Sequence, residues 1–100
     1  MRISGLRIIS RKAIRIASEA HREWEASLAA WFKITKNADW QNPADVRQTF
    51  NSADFVGRFV VFDIANNRCR LIATVNYKWK MVYIRHILSH AEYDREDWQT

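Results

Sequence analysis

Past residue 54 the chain changes period. The stretches Phe55-Val56, 58–64 (RFVVFDI), 70–77 (RLIATVNY) and 81–88 (MVYIRHIL) are rich in β-branched and aromatic residues, and they read as strands. Gly57, Asn66-Asn67 and Lys78-Trp79-Lys80 separate them. Spacers that short allow antiparallel hairpins only, because a parallel return needs a dozen residues or more. Asn66-Asn67 suits such a turn, since Asn tolerates positive φ. The second half is therefore expected to form three consecutive antiparallel strands.

Alternation assigns the faces of those strands. In 81–88, Tyr83, Arg85 and Ile87 share one side, and Val82, Ile84, His86 and Leu88 share the other. In 70–77, Leu71, Ala73, Val75 and Tyr77 oppose Arg70, Ile72, Thr74 and Asn76. The simplest arrangement puts Val82, Ile84 and Leu88 under the helices, with His86 on that core-facing side. Arg70 and Arg85 are left on the open side of the sheet.

The first half has a helical period. Residues 6–9 (LRII) form a short strand candidate that can dock beside the hairpins, and Ser10 stands where an N-cap hydroxyl would serve. Ala13, Ile16, Ala17 and Ala20 then fall at three- and four-residue spacing. Trp24, Leu28, Trp31, Phe32 and Thr35 form a second stripe over 23–36. The two stretches are one long helix broken near His21-Arg22, or a helical hairpin. Residues 37–43 (NADWQNP) are turn chemistry, and Pro43 can open a short helix over 44–50 with Val46 and Phe50 inward. The expected class is α+β: an N-terminal strand and helices packed on a mostly antiparallel sheet.

One hundred residues make one domain, 1–100, with 1–5 as a lead-in. Hydrophobic residues are 48% of the chain, enough for a core, and two Gly with one Pro argue against disorder. A single cysteine, Cys69, excludes an internal disulfide, and without a Cys/His cluster we expect no metal. No apolar run approaches the ~20 residues of a membrane span, and no apolar segment follows the N-terminal arginines as a secretory signal would require. A cytoplasmic protein is expected.

The net charge of +5 is unevenly placed. Between residues 58 and 90, Arg58, Arg68, Arg70, Lys78, Lys80 and Arg85 face one carboxylate, Asp63, so this third alone carries an excess of five. The tail runs the other way, with Glu92, Asp94, Glu96 and Asp97 against Arg95. Clustered cations of this kind are the footprint of a polyanionic partner. The last strand also runs into a polar turn with His90, Glu92, Tyr93 and Asp94 inside five residues, so proton-transfer groups gather at one strand end.

Several separate segments together resemble the HigB-type toxins, a branch of the RelE superfamily of bacterial toxin–antitoxin ribonucleases. They are ADWQNPADV with the following ADFVG, then VVFDIANNRCRLIATVNY, then VYIRHILSHAEYD, with LRIISRKA fitting the opening. The resemblance runs from Leu6 to Trp98. It implies a small toxin that cleaves mRNA on the translating ribosome without metal or cofactor. A HigA-like helix-turn-helix antitoxin would hold it inactive, and only that partner would touch operator DNA.

Metal-free RNA cleavage needs a base for the 2′-OH proton, an acid for the 5′-oxygen and cations for the phosphorus centre. His90 and Tyr93 are the candidate proton-transfer groups, and Arg70 and Arg85 the candidate phosphate clamps, because a planar guanidinium binds two oxygens. A cationic neighbourhood would favour ionisation of Tyr93. The plainer roles are that His90 caps the turn, Tyr93 packs over the sheet edge and Arg70 pairs with Asp63. His86 is taken as structural. Arg68, Lys78 and Lys80 would position RNA or the ribosome, and Trp79, exposed at a hairpin tip, would stack on a base or meet the antitoxin. A helical turn across 91–98 would carry the tail acids away from His90. The rival reading is a non-catalytic RNA- or ribosome-binding module; a third is a degenerate toxin kept as an antitoxin-binding partner. Either RNA reading predicts that association with RNA or ribosomes weakens steeply as salt rises, since counterion release drives phosphate contacts. Salt-insensitive association would contradict the basic-surface argument.

Overall fold

The computed structural model describes residues 5–95 and 97–99. The lead-in residues 1–4 and Glu96 of the acidic tail lie outside them. Strand β1 (Arg7–Ile9) leads into α1 (Arg11–Ala20), a 3₁₀ turn over Arg22–Trp24 and α2 (Glu25–Lys36), so the helical half breaks at His21. Helix α3 (Pro43–Thr49) follows, then β2 (Asp54–Val56), β3 (Phe59–Ile64), β4 (Cys69–Asn76) and β5 (Met81–Ser89). The last described elements are α4 (His90–Asp94) and a 3₁₀ turn over Asp97–Gln99. Among the described residues one sheet carries five strands in the order β1-β5-β4-β3-β2, and only the β1–β5 pair is parallel.

Local chemistry explains most boundaries. Asn42 caps α3 by accepting from the Asp45 N–H at 3.0 Å, with Pro43 at the first helical position. The β3–β4 turn holds Ala65, Asn66 and Asn67 at positive φ, which the two Asn residues adopt at low cost. Ser10 does occupy the N-cap position of α1, but its side chain caps nothing. Gly5 is more than a lead-in. Its φ is +102°, a Cβ there would collide with the Lys36 carbonyl, and the next N–H, on Leu6, donates to that same oxygen at 3.1 Å. This contact seats β1 on the C-terminus of α2.

The main core lies between the helices and one face of the sheet. Phe62 is its centre, with its ring 5.4 Å from Trp31, 6.0 Å from Trp40 and 5.3 Å from Phe50. Trp40 is buried in this core although it stands in the turn segment, and its indole N–H donates to Thr49 at 3.0 Å. Of the expected stripe, Trp24 at the end of the 3₁₀ turn and Leu28, Trp31 and Thr35 of α2 are buried, while Phe32 is half-buried. Helix α1 is rotated from expectation: Ala17 and Ser18 face inward, while Ile16 is 54% exposed and Ala20 is exposed. Small side chains on the inner stripe let α1 approach α2 and β5 closely, and Ile16 is left at the rim.

The faces of β5 also depart from simple alternation. Ile72 pairs with His86, but Ala73 pairs with Ile84, so Arg85 is an extra residue, a β-bulge. Beyond it the phase reverses. Ile87 joins Val82 and Ile84 on the helix side, whereas Leu88 and His86, both expected toward the core, lie on the other face. That face is not bare: Leu88, Phe59, Val61, Ile72, Tyr93 and Trp98 form a second apolar cluster there.

The polar turn after β5 is a helix. Ser89 accepts from the Glu92 N–H at 3.2 Å, and the Glu92 carboxylate accepts from the Ser89 N–H at 2.9 Å, a complete capping box. Hydrogen bonds from the Ser89 N–H and, second, the Ser89 side chain to the carboxylate hold the Glu92 carboxyl below its usual pKa. Their contribution is therefore full above pH 4.5 and fades as pH falls through the lowered value. Burial pushes the Cys69 thiol up to about 12, so it stays protonated and is no nucleophile. Phe62→Ala is expected to cost about 3–5 kcal/mol, against about 1 kcal/mol for Ser89→Ala. Urea unfolding of both variants checks that order.

Candidate active site

Arg70 sits on β4 directly opposite Asp63 of β3, and this register fixes the guanidinium. Nε meets the Asp63 carboxylate at 3.0 Å and Nη1 donates to the Asn67 carbonyl at 2.7 Å. Nη2 lies 3.4 Å from His90 Nδ1, and the guanidinium rests 5.4 Å over the Tyr93 ring. The side chain is only 12% exposed. Arg70 thus joins the β3–β4 hairpin to α4. It does pair with Asp63, as the plainer reading of the sequence allows, and that pairing aims the rest of the group at His90.

His90 is the first residue of α4, and its own N–H donates to the Arg68 carbonyl at 3.1 Å. Its Nε2 lies 3.2 Å from Asp94, one turn on. Asp94 is therefore beside His90, not carried away from it as expected for the tail acids. With Arg70 donating to Nδ1, the tautomer that satisfies both neighbours carries its proton on Nε2 and offers it to Asp94. Tyr93 is half-buried, stacked on Trp98 at 5.2 Å, and its carbonyl accepts from the Trp98 indole at 3.0 Å. Trp98, packed edge-on against Phe59, pins α4 to the open face.

The four candidate catalytic residues do not all meet. Arg70, His90 and Tyr93 form one cluster. Arg85 is on the same face but donates to Thr74 at 3.0 Å and lies over Tyr83. Thr74 is four residues from Arg70, about 13 Å along a strand. Arg85 therefore belongs to a separate groove with Thr74, Asn76, Tyr77, Lys78 and Tyr83.

The proposed RNA-positioning residues are spread further. Arg68 is exposed at the start of β4, beside the His90 cluster. Trp79, 66% exposed, tops the β4–β5 hairpin at the other end of the sheet, with the Lys78 ammonium 5.4 Å from its ring. Lys80 is tied inward, donating to the Trp40 carbonyl at 3.0 Å and pairing with Asp39 at 3.2 Å, so it anchors the hairpin. Among the described residues no three His, Cys, Asp or Glu side chains form a set that could hold a metal ion. No described helix is long and apolar enough to cross a membrane.

Asp94 and Trp98 are the partners that sequence reading missed. The signal for Asp94 was present as Ser89-His90-Ala91-Glu92. That S-x-x-E capping pattern starts a helix at His90 and puts Asp94 at the i+4 position.

Comparison with known proteins gives the family. The family model for the HigB toxin, the RelE-like toxic component of a toxin–antitoxin system, matches residues 24–96, which include Arg70 and all of α4. The mRNA interferase HigB of Escherichia coli O6:H1 is 27% identical over 93 residues, covering 90% of this chain and 90% of that protein. The mRNA interferase toxin HigB of Escherichia coli K12 is 26% identical over 92 residues, covering 89% and 88%, and the mRNA interferase HigB of Shigella flexneri matches to the same extent. The chain belongs to the HigB toxins, the RelE-like toxic components of toxin–antitoxin systems.

Proposed function

We propose that this chain is a metal-free endoribonuclease that cleaves mRNA on the translating ribosome, in the cytoplasm, as one toxin domain neutralised by a HigA-like helix-turn-helix antitoxin. Operator DNA is reached only through that antitoxin. The carrying observation is the convergence of Arg70, His90 and Tyr93 on a basic sheet face. The names of its relatives, mRNA interferases, point to the same substrate.

The geometry suggests how the centre works. Asp63, Asn67 and His90 take three of the five N–H bonds that a guanidinium offers, which leaves two for an anion. The three contacts are unequal: 2.7 Å to Asn67 and 3.0 Å to Asp63 are firm, whereas 3.4 Å to His90 lies beyond the usual range. A scissile phosphate arriving at Arg70 draws Nη2 off His90 and frees the Nδ1 lone pair. His90 then takes the 2′-OH proton, and Asp94 stabilises the imidazolium through Nε2–H. The 2′-oxygen attacks phosphorus, the bond from phosphorus to the 5′-oxygen breaks, and Tyr93 gives that oxygen its proton. The products are a 2′,3′-cyclic phosphate and a 5′-hydroxyl. Arg68 holds an adjacent phosphate, while Arg85, Lys78 and Trp79 guide the strand and Lys80 fixes their hairpin.

Induction of the chain alone in bacteria, followed by mapping of mRNA 5′ ends, tests this reading. New ends in translated frames are expected, reduced about 10²–10⁴-fold in His90→Ala and strongly in Tyr93→Phe, with ribosome association retained. Cuts that persist in both variants would move the chemistry to the arginines. Intact mRNA beside salt-sensitive ribosome binding would instead identify a binding module.

A further inference from the structure

The bulge in β5 gives Arg85 a position that regular alternation would not. Its Nε donates to the Thr74 hydroxyl at 3.0 Å, and its guanidinium lies 5.2 Å over the Tyr83 ring. Two contacts thus restrain a side chain that is otherwise exposed. Among the described residues, Nη1 and Nη2 have no hydrogen-bond partner. The surrounding groove measures about 450 Å³, and its hydrogen-bonding inventory is lopsided. The Asn76 side-chain oxygen already accepts from the Trp79 N–H at 3.0 Å, which leaves the amide nitrogen to donate. The Thr74 oxygen accepts from Arg85, so its proton is free to donate as well. Lys78 adds an ammonium, and no carboxylate lines the groove.

We propose that this groove is a base-reading subsite for guanine, about two nucleotides from the scissile phosphate, an assignment that rests on the ribonuclease function proposed for the chain. Guanine carries two acceptors side by side, O6 and N7, which match the paired N–H groups of a guanidinium fork. Adenine and cytosine present an amine on that edge, and uracil offers a single acceptor there. An amine set against the Arg85 and Asn76 donors forfeits the bond and leaves both groups unsatisfied. Tyr83 and Thr74 hold the fork in advance, which lowers the ordering cost of binding. The spacing follows from the sheet. Thr74 is four residues from Arg70 on the same face of β4, about 13 Å away, a gap that about two nucleotides of extended RNA span. One strand lying along β4 can therefore place a phosphate at Arg70 and a base at Arg85.

Two measurements on the full chain test the assignment. In the first, guanosine and adenosine monophosphate are titrated into the free toxin while amide shifts are followed by NMR. The guanine nucleotide should shift Thr74, Asn76 and Arg85 at a concentration at least about tenfold lower than the adenine one. In the second, the toxin acts on ribosomes programmed with mRNAs varied about two nucleotides to either side of the mapped cut. Guanine at one of those positions should raise kcat/KM at least about tenfold over adenine. Arg85→Lys keeps the charge but loses the fork, so it and Thr74→Val should bring the guanine rate down to the adenine rate. Asn76→Asp, which replaces the donor with an acceptor, should narrow the same gap. Variants that slow both messages alike, with the ratio unchanged, would show a merely structural role and overturn the proposal. Equal midpoints for the two nucleotides, or equal cleavage of all four bases at both positions, would overturn it too, as a groove that holds phosphate alone gives no base preference. A wild-type chain that cuts no mRNA would sink the ribonuclease reading, and the nucleotide titration would then decide the groove by itself.

Discussion

One extra residue in β5 decides how the two faces of the sheet are used. Because Arg85 has no partner between the pairs Ile72–His86 and Ala73–Ile84, side chains on either side of it answer to opposite phases. Val82 and Ile84 before the bulge, and Ile87 after it, all reach the helix-side core. Leu88 turns to the other face and joins Ile72 and Trp98. Without the bulge a one-residue slip would bury Leu88 and expel Ile87, and the apolar seat for Trp98 would be lost. The bulge also aims Arg85 at Thr74 and Tyr83, away from the His90 cluster.

That seat lets a five-residue helix carry chemistry. An isolated helix so short would not hold in water. Here the Ser89–Glu92 box satisfies its first turn, the Trp98 ring stacks under Tyr93, and Arg70 grips it from β4. The rigid half of the site is the β3–β4 hairpin, where Asp63 and the Asn67 carbonyl hold the guanidinium. The adjustable half is α4, bound to that guanidinium through one long contact. A site built in this way can let an arriving phosphate replace a histidine without disturbing the core.

Much of this architecture was legible in the sequence. The hairpins follow from spacers too short for any other return, and the helix break at His21 and the Pro43 start follow from local chemistry. The Arg70–His90–Tyr93 grouping follows from a strand that runs into a polar segment beside a basic strand. What alternation could not supply was the bulge, because an inserted residue leaves no mark when both neighbouring phases are apolar: Ile84, Ile87 and Leu88 suit either face. The rotation of α1 was hidden for a similar reason, as Ile14 and Ile16 are equal claimants to the core until α2 and β5 set the packing distance. The Asp94 contact was spelled out by the capping box and obscured by reading the segment as a turn.

Chemical analysis of the RNA ends left by the purified toxin on programmed ribosomes tests the central claim most directly. Attack by the 2′-oxygen, driven by His90 with Arg70 on the phosphate, predicts a 5′-hydroxyl on the downstream fragment and a cyclic or 3′-phosphate on the upstream one. A 5′-phosphate with a free 3′-hydroxyl would mean that water attacked phosphorus, and the proton-transfer role given to the Arg70–His90–Tyr93 centre would be wrong.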